Sequence, residues 1–190
     1  MSYEADGAGN SERLLNAVEK IMNNDGYTNV TIRKVCKEAG LAPGTFYRYF
    51  SGRTELMSAR LDRDNAMRAK YLEERLRGFS SIQQVFIFSR YYAEMNYEAE
   101  PDFHLAMFTP GENWHRKRQP LTVLLEKVFS EGQRAGEIND YMKSDELAEL
   151  FVDILRGCVH CWCVEKRSFD LKNRIEKVTR VFMHSFSLTL

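Results

Sequence analysis

The apolar spacing on either side of Gly40 constrains this chain more than any other feature. In TIRKVCKEAGLAPGTFYRYF, Thr31 to Phe50, the residues Ile32, Val35, Cys36 and Ala39 recur at i, i+3, i+4, i+7 and predict a short helix with one buried stripe. Thr31 stands where its hydroxyl caps the first free N–H groups of that helix. Gly40 supplies the permissive backbone of a tight turn, and the small Cys36 and Ala39 let a second helix cross closely. That second helix starts at Ala42-Pro43-Gly44-Thr45, where Pro43 costs no hydrogen bond because a first-turn N–H has no intrahelical partner. Phe46, Tyr49 and Phe50 then face inward. Two helices crossing at a glycine turn, the second with a polar front, describe a helix-turn-helix.

The charge of the chain matters only locally. Its 190 residues carry 27 Lys and Arg against 27 Asp and Glu, so nothing about the whole attracts a polyanion. Between Tyr27 and Arg53, however, Arg33, Lys34, Lys37, Arg48 and Arg53 face Glu38 alone, a local charge of +4. A solvated helix face accounts for such a run by itself, but joined to the helix-turn-helix pattern it points to phosphate contact. Thr31, Arg33, Ala42, Pro43, Gly44, Thr45, Tyr47, Arg48 and Arg53 are the candidate DNA contacts, with Arg48 and Arg53 on phosphates and Thr45 and Tyr47 at base edges.

From Arg13 to Leu61 the chain resembles the N-terminal domain of the TetR family of bacterial transcriptional regulators. The resemblance is carried by the leading helix RLLNAVEKIMNNDGY, the Thr31 start, AGLAPGTFYRYF and the FSGRTEL entry to the next helix. It implies a repressor that binds a palindromic operator and is released by a small molecule, with the helix after Arg53 transmitting the effector event. Two departures stand out. Ala42 and Pro43 replace the Ser-Lys pair usual in relatives, removing a cation that reads base or phosphate, and Gly52 replaces a common Ser.

The remaining pattern is helical throughout. Residues 1–10 are predicted as a flexible leader, 11–57 as the DNA-binding domain with its motif at 31–50, and 58–190 as an effector-binding and dimerisation domain. A first helix is expected over Ser11 to Asn24, a long charged one from Arg53 to Arg77, one capped by Ser80 or Ser81, and a short one over Asp102 to Phe108. Another begins near Leu121 and ends at Gly132 or Gly136, and two more start at Ser144 and Asp170. The fold class is therefore all-α with about nine helices. No run reaches the ~20 apolar residues of a membrane span and the start is not signal-like, so a cytoplasmic protein without membrane association is expected.

Three further groups of residues are candidates for sites. Tyr91, Tyr92, Met95, Phe103, His104, Met107, Phe108 and Trp114 form an aromatic and methionine-rich set suited to an apolar or amphipathic effector, although such residues at helical spacing also make plain core. Leu147, Phe151, Ile154, Cys158, Trp162, Ile175, Val178 and Phe182 mark apolar stripes on the last two helices, expected to pair with a second copy as a four-helix interface. Cys158, His160, Cys161 and Cys163 raise the question of a metal or thiol sensor. On a helix Cys158 and Cys161 lie roughly 60° apart while His160 and Cys163 point away, so packing is the preferred account and no metal or cofactor is expected. No phosphate loop, nucleophile elbow or helical metalloprotease motif is present, which argues against an enzyme. A DNA-binding architectural protein or activator without an inducer is the alternative regulator.

Overall fold

A computed structural model describes residues 5–98, 101–107 and 119–188; the side chains of residues 5–8 and of Met107 are not described. Among the described residues the chain is entirely helical, with nine α-helices, one 3-10 turn and no strand. It divides into two compact units with the break between Asp64 and Asn65. None of these helices is long and apolar enough to cross a membrane.

The first unit comprises α1 (Ala5–Asp25), a 3-10 turn (Tyr27–Asn29), α2 (Ile32–Ala39), α3 (Pro43–Phe46) and the opening of α4 (Arg53–Leu76). α1 starts earlier than the polar leader predicts. Gly7 and Gly9 each cost a helix only about 1 kcal/mol relative to alanine, and no proline interrupts the segment. Leu14, Val18, Val35, Phe46, Leu56 and Met57 are almost fully buried and form the interior on which α2 and α3 rest. At the far end of this unit Arg63 of α4 ties back to α1, donating to Glu12 and Asn16 at 2.8 Å and to Glu19 at 3.2 Å.

The second unit contains the rest of α4 with α5 (Ser81–Glu98), α6 (Pro101–Met107), α7 (Pro120–Arg134), α8 (Ser144–Val164) and α9 (Leu171–Phe186). Ser80, rather than Ser81, caps α5: its hydroxyl accepts from the Gln83 N–H, and the Gln83 side chain accepts from the Ser80 N–H. Four rings lock α7, α8 and α9 together, with Phe151 and Phe182 centred 4.6 Å apart, Phe182 and Phe186 4.7 Å apart, and Phe129 edge-on to Phe151. Gly132 lies inside α7 instead of ending it. A Cβ there would come within 2.8 Å of Ser81 Cβ and 2.7 Å of Ile138 Cδ1, so the glycine exists for close approach. Gly136, at φ 71°, makes the turn beyond the helix.

Candidate functional site

The helix-turn-helix is built as its sequence implies. The Thr31 hydroxyl accepts from the Lys34 N–H at 3.3 Å, closing the start of α2. At the other end Gly40 takes the left-handed conformation, φ 64°, and the Leu41 N–H returns to the Cys36 carbonyl at 2.9 Å. Arg13 of α1 donates to the Ala39 carbonyl at 2.7 Å, capping a free end of α2 from 26 residues away. Nothing local in the sequence signals that contact.

α3 is shorter than predicted. Regular α-helix covers only Pro43–Phe46, followed by turns in which the Arg48 N–H bonds Thr45 and the Tyr49 N–H bonds Phe46, both three residues back. Ala42 gives no side-chain cap, and Gly44 stiffens nothing in the first turn. The element nevertheless sorts its faces as its spacing requires: Phe46 and Phe50 are buried, whereas Ala42, Pro43, Gly44, Tyr47 and Arg48 are exposed and Thr45 is half-buried. The Tyr47 ring, 59% exposed, stands edge-on to Phe46 with centroids 5.3 Å apart. Arg33 and Lys37 are exposed on α2, and Lys34 leans back to Asp25 at 3.4 Å.

Arg53 departs from expectation. Its Nη2 donates to the Tyr27 carbonyl at 3.2 Å and its guanidinium lies 4.3 Å from the centre of the Tyr27 ring. The side chain is half-buried and engaged in holding the 3-10 turn against α4, so a free phosphate clamp is not what it forms here. Thr31 is likewise occupied as a cap.

Of the effector candidates, Tyr91, Tyr92 and Met95 are half-buried on α5 against the hydrophobic core, and Phe103 and His104 are buried on α6. The Met107 side chain, Phe108 and Trp114 lie outside the described residues. Burial pushes both phenols up, that of Tyr92 against the opposing pull of Arg156. Asn96, buried and donating to the Tyr92 carbonyl at 2.6 Å, neighbours this set and was not anticipated from its position in a polar stretch.

The expected dimer residues separate into two groups. Leu147, Phe151, Trp162, Ile175 and Phe182 are each at most 7% exposed within a single chain. They are core residues, because α7 and α5 supply the neighbours that the stripes alone left unassigned. Ile154, Cys158 and Val178 are half-buried. A separate outward stripe, Leu150, Ile154, Cys161 and Val164 on α8 with Val178 and Val181 on α9 and Leu188 beyond it, carries exposed apolar surface, Val181 being 72% exposed. Cys163 is buried, Cys158 half-buried and Cys161 exposed, so the three thiols do not converge; no cluster of three or more metal-donor side chains is found among the described residues.

A capped, glycine-turned pair of helices with a cationic front, followed by a separate all-helical unit, defines a helix-turn-helix transcriptional regulator. Residues 14–59 match the family model described as bacterial regulatory proteins, tetR family. The fatty acid metabolism regulator protein of Bacillus subtilis is 19% identical over 171 residues, covering 84% of this chain and 86% of that one. The fold is similar to that of Thermus thermophilus FadR, solved with lauroyl-CoA, at TM-score 0.77 and 18% identity over 91% of this chain and 93% of the other. It is about as similar to RolR, solved with resorcinol, at TM-score 0.76 and 18% identity over 97% and 91% of the two chains.

Proposed function

We propose that this protein is an effector-responsive repressor that binds a palindromic operator as a homodimer. The observation that carries the reading is the solvent-facing set Pro43, Gly44, Tyr47 and Arg48 beside Arg33 and Lys37, held on a buried aromatic base. Arg33, Lys37 and Arg48 supply phosphate contacts; Tyr47, with the half-buried Thr45, supplies base contacts. Binding of purified protein to sheared genomic DNA, followed by footprinting, tests this. A protected site with two-fold symmetry is expected, and protein that retains no fragment above competitor DNA overturns the reading.

A second copy is the natural occupant of the outer stripe on α8 and α9, since a single helix-turn-helix makes few contacts and gains specificity from half-site spacing. Ile154→Asp or Val181→Asp yields folded monomers with weakened operator binding. Sedimentation of the wild-type protein as a monomer at micromolar concentration rules the dimer out.

The effector belongs to the second unit. Similarly folded regulators have been solved with an acyl-CoA and with a small phenol, which supports an apolar or amphipathic ligand without choosing between them. An effector lowers operator affinity only through tighter binding to the state that does not hold DNA. Operator DNA therefore weakens effector binding by the factor with which effector weakens operator binding.

A further inference from the structure

His104 on α6 is 3% exposed, and neither Nδ1 nor Nε2 makes a hydrogen bond. A neutral imidazole needs an acceptor for its N–H and a donor for its bare nitrogen, and each buried group left unmatched costs about 1–3 kcal/mol. Three other buried polar groups of this unit are satisfied: Thr179 donates to Ser89 at 3.0 Å, Asn65 to Gln119 at 2.9 Å, and the Trp162 indole to the Phe169 carbonyl at 2.9 Å. His104 has both polar atoms of one buried side chain open, a feature of the kind that a ligand completes.

The charges that reach this ring are positive. Burial first, then the charges of Arg167 and Arg68, hold the His104 pKa down at about 4, so the ring is neutral at pH 7. The Asn96 carbonyl favours the protonated form but does not reach hydrogen-bond geometry. Arg167 is held in place by the turn after α8 and by an aromatic ring. Lys166 and Arg167 take φ of 54° and 60°, a region that residues with a Cβ avoid, and the Arg167 guanidinium lies 4.6 Å from the centre of the Trp162 ring. The two residues form the turn that ends α8, with the Lys166 N–H on the Cys163 carbonyl at 3.0 Å and the Arg167 N–H on the Trp162 carbonyl at 2.7 Å.

We propose that His104, with Arg167 and Arg68, is the polar end of the effector site, and that the effector is an amphipathic organic acid whose carboxylate accepts the imidazole N–H while its apolar body packs on the α5 aromatics. This rests on the effector-responsive reading above. A hydroxyl would satisfy the ring but gain little from two guanidinium charges, and an amine would be repelled by them.

The test uses the full-length protein with isotope-labelled histidine and three probes of equal length: octanoate, octanol and octylammonium. Octanoate is expected to shift the His104 ring resonances, to show Overhauser contacts from its α-methylene to the ring, and to bind at least ten-fold more tightly than octanol, with octylammonium not binding. His104→Phe removes the ring contacts and the preference for octanoate, and Arg167→Gln lowers octanoate affinity several-fold without changing octanol. Equal binding of octanoate and octylammonium, an unmoved His104 ring, or unchanged octanoate affinity in Arg167→Gln overturns the inference. Should the Phe variant not fold, the wild-type ring contacts and Arg167→Gln decide. Operator binding on the same samples separates the two readings: operator binding with no octanoate contact sinks the anchor alone, whereas no operator binding sinks the regulator.

Discussion

In the first unit the cations Arg33, Lys37 and Arg48 stand in solvent over a sealed interior; in the second the aromatics are drawn inward and the orphaned ring of His104 is buried with them. The same material, amphipathic helices, thus serves two opposite designs. A surface that meets DNA must be polar and exposed, so its residues add little to stability. A site that meets a small amphipathic molecule must be enclosed, so its residues are hard to distinguish from core and altering them disturbs folding.

The largest expected effect breaks that comparison at its inner side. Phe151→Ala removes a fully buried ring from the Phe129, Phe182 and Phe186 stack and should cost about 3–5 kcal/mol, seen as a lower denaturation midpoint. A variant that unfolds normally but becomes monomeric would instead make Phe151 an interface residue.

Acid should unpick the second unit next. His104 has an ordinary pKa of 6.5 and a folded value of about 4, so between those values the unfolded chain holds the extra proton and stability falls as pH falls. The full effect, reached near pH 4 and absent above about pH 7, is on the order of 3 kcal/mol. Unfolding free energies measured from pH 7 to pH 4 in wild type and His104→Phe should converge in slope only if some other group carries the acid sensitivity.

Two glycines then sharpen the contrast within one unit. Gly132→Ala drives a Cβ against Ser81 and Ile138 and should destabilise by about 1–3 kcal/mol, whereas Gly157→Ala meets nothing within 4 Å and should stabilise by up to about 1 kcal/mol. Thermal melts of the two variants with the same sign of shift contradict the packing described for α7. If Gly157→Ala also weakens self-association, the outer face of α8 is where copies meet.

How much of this was legible in the sequence follows from the range of the interactions. The cap at Thr31, the turn at Gly40 and the inward Phe46 and Phe50 are decided within a few residues, so α2 and the face of α3 could be read directly. Arg13 on Ala39 and Arg53 on Tyr27 each span 26 residues, and a helical repeat contains no trace of them. The stripes of α8 and α9 were visible too, but a stripe states that something covers it and not what. Phe151 and Phe182 turned out to be covered by their own chain, and the outward stripe centred on Ile154 and Val181 was the weaker pattern because glycine, cysteine and charged residues interrupt it. The sequence leaves Gly132 and Gly136 as alternative ends of α7, since a glycine that ends a helix and one that admits a neighbour look alike until the neighbour is placed; Gly136 makes the turn and Gly132 admits Ser81 and Ile138.

The smallest effect lies at the edge of the first unit, where Arg48 and Arg53 carry the same charge five residues apart but differ in what they touch. Arg48 is exposed and Arg53 is fixed on the Tyr27 carbonyl and ring. Arg48→Ala should therefore leave the melting curve within about 0.5 kcal/mol of wild type. Its operator affinity should fall similarly on all sequences, with the salt dependence shallower by about one unit of slope, as expected for one lost phosphate contact. Arg53→Ala should reverse the emphasis, costing about 1 kcal/mol of stability through the lost hydrogen bond and ring contact. Its salt slope should stay near that of wild type, and any loss of affinity should be recovered in part by Arg53→Lys, which keeps a cation over the ring but not the fork. Equal changes of salt slope in both alanine variants would mean that Arg53 leaves Tyr27 when DNA binds, and that the boundary between residues that hold the fold and residues that meet the operator moves on binding.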